Sequence, residues 1–360
     1  MEINLKDTLK SLRHKKNVTQ EALAEYLGIT QQSVGKWERG EGFPDITLLP
    51  KIALYFNISI DDLLNVGQAR IDEEIAEYDE QGRRYAREGD ILAEIDIYER
   101  AYAEFPNNHK VMHDLMCALF NKPTYPPKQE TSDRIIELGT RILEESNNNY
   151  FREGAVQALC LTYNAIKDTE NAMKYAKMGG SVYVTQDELQ AKVAKGEEGL
   201  IACQEYIMNL VHLTAMAATA SMEKVLRTRG EQIAAHQFAV NQYLMLFSDG
   251  NVGFYAGELS WNYAQMAMIY AQTKSINQTL EALKKCVEYA VMTADKTPKP
   301  YTAPLVDRLT YEPAKTVKNY KGNSCNTRLK EFEWSCFDFV RESDEFKELT
   351  ETLKKYAETV

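Results

Sequence analysis

Gln31 and Gln32 stand side by side in the run Thr30-Gln31-Gln32-Ser33-Val34. A carboxamide donates and accepts a hydrogen bond at once, the pattern that matches N6 and N7 of adenine in the major groove of a duplex. Such groups read bases only from a short rigid rod, so the flanking residues decide whether the chemistry is usable. Thr19 is suited to cap a first helix whose apolar positions Ala22, Leu23, Tyr26 and Leu27 recur at helical spacing. Gly28 stops that helix where a left-handed residue is needed. Ile29 plugs the turn, Thr30 caps again, and Val34 and Trp37 give the second helix its inward face. The outward face is then Gln31, Gln32, Gly35 and Lys36.

Counted from Gln20, a small residue stands fifth (Ala24), glycine ninth (Gly28), a branched aliphatic fifteenth (Val34) and a large apolar residue eighteenth (Trp37). This spacing resembles the lambda-repressor-like, or Cro/CI and XRE-type, helix-turn-helix transcriptional regulators. The resemblance covers residues 1–66 and implies a five-helix DNA-binding domain. It implies base contacts from Gln31 and Gln32, with Lys36 also pointing into the groove. Gln20 matches a position that holds a phosphate and braces the first recognition glutamine; Ser33 and Arg39 match phosphate-side positions, and Thr30 belongs to the same DNA-facing run. Arg13 with Glu38 matches a structural ion pair, beside the structural positions Gly28, Val34 and Trp37. Two residues depart from the pattern. Gly35 weakens the recognition helix by roughly 1 kcal/mol relative to alanine, and Glu41 places an acid in a loop that usually skirts the backbone.

The 360 residues leave room for two or three domains. Aromatic residues at 10% and charged residues at 26% mark a globular chain rather than a disordered one. No window approaches the roughly 18 apolar residues of a membrane span, and Met-Glu-Ile-Asn-Leu-Lys is no secretory signal, so a cytoplasmic protein is expected. The net charge of −11 sits awkwardly with nucleic-acid binding until it is divided along the chain. Residues 1–40 carry seven basic against five acidic residues, and the acidity lies beyond them. Affinity for DNA must therefore come from local placement on one small domain.

In that domain Leu5, Leu9 and Leu12 give a first helix its inward stripe, ending near Asn17. Pro50 is tolerated only in a helix's first turn, so a fourth helix begins between Thr47 and Leu49 and buries Ile52, Ala53 and Phe56. Ile58, Leu63 and Leu64, capped by Ser59, make a fifth. Beyond it a period appears. With Pro106 as the closing proline of a 34-residue tetratricopeptide pattern, Tyr78, Gly82, Tyr85, Tyr98 and Ala101 fall on aromatic and small positions. Tyr163 and Ala172 fit a second partial match, and Tyr263, Ala267 and Tyr270 a third, ahead of a helix carrying Leu280, Leu283 and Tyr289. The expectation is an all-α chain: a five-helix domain at 1–66, a tetratricopeptide-like helical-hairpin array at 67–295 for sensing and dimerisation, and a basic loop with capping helices at 296–360.

Within the array, long helices are expected at 185–195, 197–227 and 231–247. Leu200, Cys203, Ile207, Leu210, Leu213 and Met216 suggest an apolar seam, either core or a dimer interface. Residues 296–330 lose helical periodicity and hold eight basic residues against Asp307 and Glu312, interleaved with Tyr301, Tyr311 and Tyr320. Such a mixture holds an anionic ligand or lies across the acidic helical body and neutralises it. Leu329, Phe332, Cys336 and Phe339 read as one face of a closing helix, and Phe346, Leu349, Leu353 and Tyr356 as the next.

No phosphate-cradling glycine loop, Gly-x-Ser-x-Gly or His-Glu-x-x-His occurs, and an enzyme is not expected. His109, His113 and Asp114 have metal-ligand spacing on a helix, but no second cluster completes them; neither a metal nor any other cofactor is expected. The six cysteines form no Cys-x-x-Cys and read as reduced core residues, with Cys325 in a probable loop open to redox chemistry. Asn164, Asn209, Asn241 and Asn262, each on an expected helix, are candidates to pair with the N–H and C=O of an extended peptide. Together these readings point to a cytoplasmic, sequence-specific transcriptional regulator that binds a double-stranded operator as a homodimer and answers to a peptide or small-molecule effector. The competing reading is a protein-interaction scaffold in which the small domain and the array both bind proteins.

Overall fold

Leucines at every third or fourth position, backed by lysines on the other side, make the first helix amphipathic. The computed structural model describes residues 5–64, 66–122, 128–182, 185–221, 228–318 and 320–359. Helix α1 (Leu5–Lys15) buries Leu5 and Leu9, with Leu12 packed at the edge of the same core. Asn17 takes a left-handed conformation and ends it. Helix α2 (Gln20–Leu27) starts under the Thr19 side chain, which accepts from the Ala22 amide at 3.1 Å, and stops at Gly28, whose φ of 71° suits glycine. Helix α3 (Gln31–Arg39) is capped by Thr30 and closed by Gly40, again left-handed at φ 76°. After a single 3-10 turn, α4 (Leu49–Phe56) carries Pro50 in its first turn, and α5 (Ile60–Leu64) is headed by Ser59, whose hydroxyl accepts from the Asp62 amide. One core serves all five helices: Leu5, Leu9, Leu23, Leu27, Val34 and Ile52 are buried in it, with Trp37 and Leu63.

The described chain divides into two compact units, residues 1–82 with 103–106, and residues 83–102 with 107–360. Long α6 (Val66–Glu88) passes from one into the other. The second unit is built of tetratricopeptide-like helical hairpins: α7 (Ile91–Glu104), α8 (His109–Phe120), α9 (Gln129–Glu145), α10 (Asn149–Ala165), α11 (Thr169–Ala176), α12 (Gln186–Val193), α13 (Gly196–Met216), α14 (Arg229–Leu246), α15 (Ala256–Ala271) and α16 (Ile276–Met292). Successive helices pack on one another from α8 to α11 and from α12 to α16. Tyrosines tie two of the hairpins in the same way. Tyr163 stacks on Tyr175 at 5.6 Å between α10 and α11, and Tyr263 on Tyr289 at 5.8 Å between α15 and α16.

Several expectations for this unit need correction. The apolar seam of α13 holds in part: Ile207 packs on the core, but so do Ile201, Met208, Val211 and Ala215, together with buried Gln204, while Leu200, Leu213 and Met216 are exposed. Gln204 is drawn inward because its carboxamide is engaged on both sides, donating to Asp307 Oδ1 and accepting from the Arg308 amide, both at 2.8 Å. The expected loop at 296–330 is a packed strap. Strands β1 (Lys299–Pro300) and β2 (Thr310–Tyr311) pair antiparallel, and Tyr301, Ala303 and Val306 are buried. Helix α17 (Ser324–Phe332) already begins inside it, because Asn323 and Asn326 form a reciprocal capping box.

The third correction concerns the closing face. Cys336 and Phe339 do not continue α17, which ends at Phe332; Arg341 takes the freed carbonyls, donating to Phe332 O at 2.8 Å and Trp334 O at 3.0 Å. Helix α18 (Asp344–Tyr356) follows under a Ser343 cap. Cys325 is fully buried in the first turn of α17, where burial pushes its thiol up to about 11, so it is no redox loop. The strap is seated on the start of the unit: Lys318 N–H donates to Ala86 O at 2.9 Å, and Lys321 pairs with Asp90 at 2.5 Å. A Cβ at Gly89 would meet Tyr320 O at 2.1 Å, so only glycine fits there.

In the first unit one charge network holds three helices. Arg13 donates to both oxygens of Glu38 at 2.6 and 3.0 Å and to Val18 O at 2.8 Å, and Gln20 Nε2 donates to Glu38 Oε2 at 2.8 Å. Burial works to raise the Glu38 carboxyl, but the Arg13 and Gln20 bonds overcome it and hold the group below its ordinary 4.5. Its contribution to stability is therefore present above pH 4.5 and is lost as pH falls through the lower folded-state value. Glu38→Ala is expected to cost about 2–3 kcal/mol, less than the about 3–5 of a pair enclosed on all sides, because Arg13 keeps some contact with solvent. Amide hydrogen exchange over α2 and α3 checks this: protection should fall in the variant at neutral pH, and the acid dependence should flatten in Glu38→Gln.

Candidate nucleic-acid interface

A helix presents its first turn to a partner only if its entry is fixed. Thr30 fixes α3 twice over, its Oγ1 accepting from the Ser33 amide at 3.3 Å and lying 2.9 Å from Ser33 Oγ. Val34 at 0% and Trp37 at 7% exposure anchor the opposite side in the core. Gln31, Gln32 and Lys36 are left exposed on one face, with Ser33 half-buried beside them. Neither glutamine is drawn into the domain, so both carboxamides stand at the N-terminal tip of α3, where a helix entering a major groove meets base edges.

Gly35 does not belong to that open face. It is buried, because Arg39 and Gln20 lie across it: a Cβ there would stand 3.0 Å from Arg39 Nη1 and 3.6 Å from Gln20 Oε1. Gln20 itself, at the start of α2, reaches Glu38 rather than the first recognition glutamine. Its amide is thus a brace between α2 and the end of α3.

Arg39 carries a feature the sequence flagged only from the other side. Its guanidinium forms a two-pronged bond with Glu41, Nε to Oε1 and Nη2 to Oε2, both at 2.7 Å. Both side chains are more than half exposed, at 58% and 51%. The left-handed turn at Gly40 brings these residues, two apart in sequence, into register. The Arg39 bond holds the Glu41 carboxyl below its ordinary range. Any phosphate that approached Arg39 would have to compete with an acid already in place.

The other candidate residues are not gathered into one place. Asn262 is only 2% exposed, and its carboxamide is consumed internally, Oδ1 facing His236 Nδ1 at 2.9 Å and Nδ2 donating to Glu258 O at 2.8 Å. It cannot pair with a peptide, and the asparagine ladder loses that rung. Asn209 donates to Asp187 at 2.8 Å, Asn241 accepts from Gln237 at 2.9 Å, and Asn164 is exposed. His113 is buried against Tyr150 and Phe151, in the space that Gly154 leaves, and faces Asp114 at 3.2 Å, while His109 turns to Glu145 at 3.7 Å. No group of three metal-ligating side chains occurs among the described residues. No described helix is long and apolar enough to cross a membrane.

Comparison with known proteins meets this geometry at the same residues. A helix-turn-helix family model matches residues 9–63. The chain is similar to the HTH-type transcriptional activator BcrR of Enterococcus faecalis, 45% identical over 65 residues that make up 18% of this chain and 31% of that protein. It is similar to an uncharacterized HTH-type transcriptional regulator of Methanocaldococcus jannaschii, 39% identical over 59 residues, 16% of this chain and 89% of that protein. This chain thus spans less than a third of the activator's length and most of the shorter regulator's. Among solved structures, that of Bacillus thuringiensis PlcR in complex with the peptide PapR7 and DNA aligns with 79% of this chain and 86% of its own, at 13% identity and a TM-score of 0.19.

Removing the competitor at Arg39 should strengthen DNA binding without changing what is read. Glu41→Gln is expected to raise affinity for every duplex by about two- to fivefold, the scale of an exposed ion pair. The salt dependence should steepen by about one phosphate contact. Fluorescence anisotropy on specific and random duplexes over a salt series checks both.

Proposed function

The chain belongs to the helix-turn-helix transcriptional regulators, and we propose that it reads a specific operator through the tip of α3, as a homodimer whose helical region senses an effector. The observation that carries this is the exposed, doubly capped start of α3, with Gln31 and Gln32 side by side and Lys36 one turn on. Adjacent carboxamides at that place suit adenine edges. Ser33, Thr30, Gln20 and Arg39 then surround the base-reading pair as phosphate-side groups. Two copies related by a two-fold axis would set two recognition helices one or more duplex turns of about 34–36 Å apart. An effector that prefers one arrangement of the hairpins shifts that spacing, and with it operator affinity. The protein acts in the cytosol on double-stranded DNA, and its work is recognition rather than catalysis.

Selection on random duplexes with the full chain tests the reading. An enriched inverted repeat, bound by a dimer in gel filtration, supports it; absence of any enriched sequence returns the scaffold reading. On the enriched site Gln31→Ala and Gln32→Ala should each cost about 1–3 kcal/mol and relax preference at one position, whereas Arg39→Ala should weaken all sequences alike. Equal losses on operator and random DNA for the glutamine variants would show that they do not read bases.

A further inference from the structure

The strap borders an open cavity of about 330 Å³ between α15 and the start of α17 in the second unit. One part of its lining is aromatic, from Phe254, Trp261 and Tyr311, and the other is cationic, from Lys296, Lys318 and Arg328. The size is at the lower end of ligand pockets and admits a single ring with one charged substituent.

The cations are poorly matched by the protein's own acids. Arg328 is 6% exposed, and its Nε and Nη1 find no hydrogen-bond acceptor. Glu331 Oε2 lies 3.1 Å from Nη1, but off the line of the N–H, and is itself without a donor. A buried guanidinium with open donors is costly to keep, and an acceptor placed on them gains what the fold leaves unused. Lys296 and Lys318 share a single carboxylate, Glu358, which contacts Lys296 and stands 3.7 Å from Lys318. Burial and the nearby Lys296 hold the Lys318 ammonium below its ordinary range. The remaining acid on the lining, Glu258, and Glu331 behind it are both pushed up by burial. Arginine stays charged whatever its burial, so a guanidinium borders the aromatic floor.

By contrast, four other cations of the strap have a carboxylate beside them. Lys299 pairs with Asp295 at 2.8 Å, Arg308 with Glu197 at 2.9 Å, Lys315 with Glu312 at 2.8 Å and Lys321 with Asp90 at 2.5 Å.

We infer that this cavity binds a small organic anion with an aromatic body, its carboxylate or phosphate held by Arg328 and Lys318 and its ring among Phe254, Trp261 and Tyr311. This names the chemical class of the effector and rests on the sensory reading only for its regulatory meaning. Binding is measured without DNA, so its failure would leave the operator reading standing, and the reverse.

Isothermal titration of the full chain with phenyl phosphate and with phenylacetate tests it and separates the two anion types. At least one is expected to bind saturably with a Kd below about 1 mM, and phenol and inorganic phosphate at least tenfold more weakly. Lys318→Met and Trp261→Leu should each lose tenfold or more, Lys318→Arg should retain binding, and Lys299→Met, outside the cavity, should change nothing. Thermal unfolding without ligand verifies that each variant is folded. No saturable binding of either aryl anion up to about 10 mM, equal binding of phenol or inorganic phosphate, or undiminished binding in Lys318→Met and Trp261→Leu overturns the assignment.

Discussion

One buried carboxylate decides where the recognition helix stands. Glu38, in the last turn of α3, accepts from Arg13 of α1 and Gln20 of α2, so a single acid fixes the end of the DNA-facing rod against both neighbours. The arrangement is directional where apolar packing is not. Leu23, Val34 and Trp37 would tolerate small rotations of α3, but a two-pronged guanidinium pair would not. A turn of the helix by a fraction of a residue would move Gln31 and Gln32 off any base they meet. Precision at one end of α3 is thus set by hydrogen bonding at the other.

The same chemistry is used with the opposite purpose a few residues on. Arg39 and Glu41 are also joined by two short bonds, yet both stand in water, where the pair adds little to stability and, on the proposed reading, moderates the charge a phosphate would meet. In the second unit the balance is different again. The strap sets Lys299, Lys315 and Lys321 beside nearby acids, and at the cavity it leaves Arg328 with donors unmet. What an ion pair does here follows from its burial and its alignment more than from its presence.

The five-helix domain was legible because its signals are local. Thr19, Gly28, Thr30 and Pro50 each act on residues within one turn of themselves, and the leucine spacing of α1 needs no knowledge of the rest. The interior of the second unit was less legible wherever a polar residue is buried by a distant partner. Gln204 faces the core because of Asp307 and Arg308, and Asn262 because of His236, pairings that no window of sequence contains. Helix α17 was masked by the prolines before it, although its Asn323 and Asn326 cap was there to be read. At the interface, Glu41 was visible as an odd acid, but its pairing with Arg39 depends on the sharp turn at Gly40. The burial of Gly35 was invisible, since it arises from what its neighbours do and not from what glycine is.

The seat of the strap on Ala86, Gly89 and Asp90 joins the two ends of the second unit. Helical hairpins ordinarily assemble by neighbour contacts alone, which makes their formation fast and incremental. Here the last stretch must find a surface made by the first, across every hairpin between. Completion of this unit therefore carries a long-range closure step, and a lesion that frays its first hairpin would be felt by the strap at its far border.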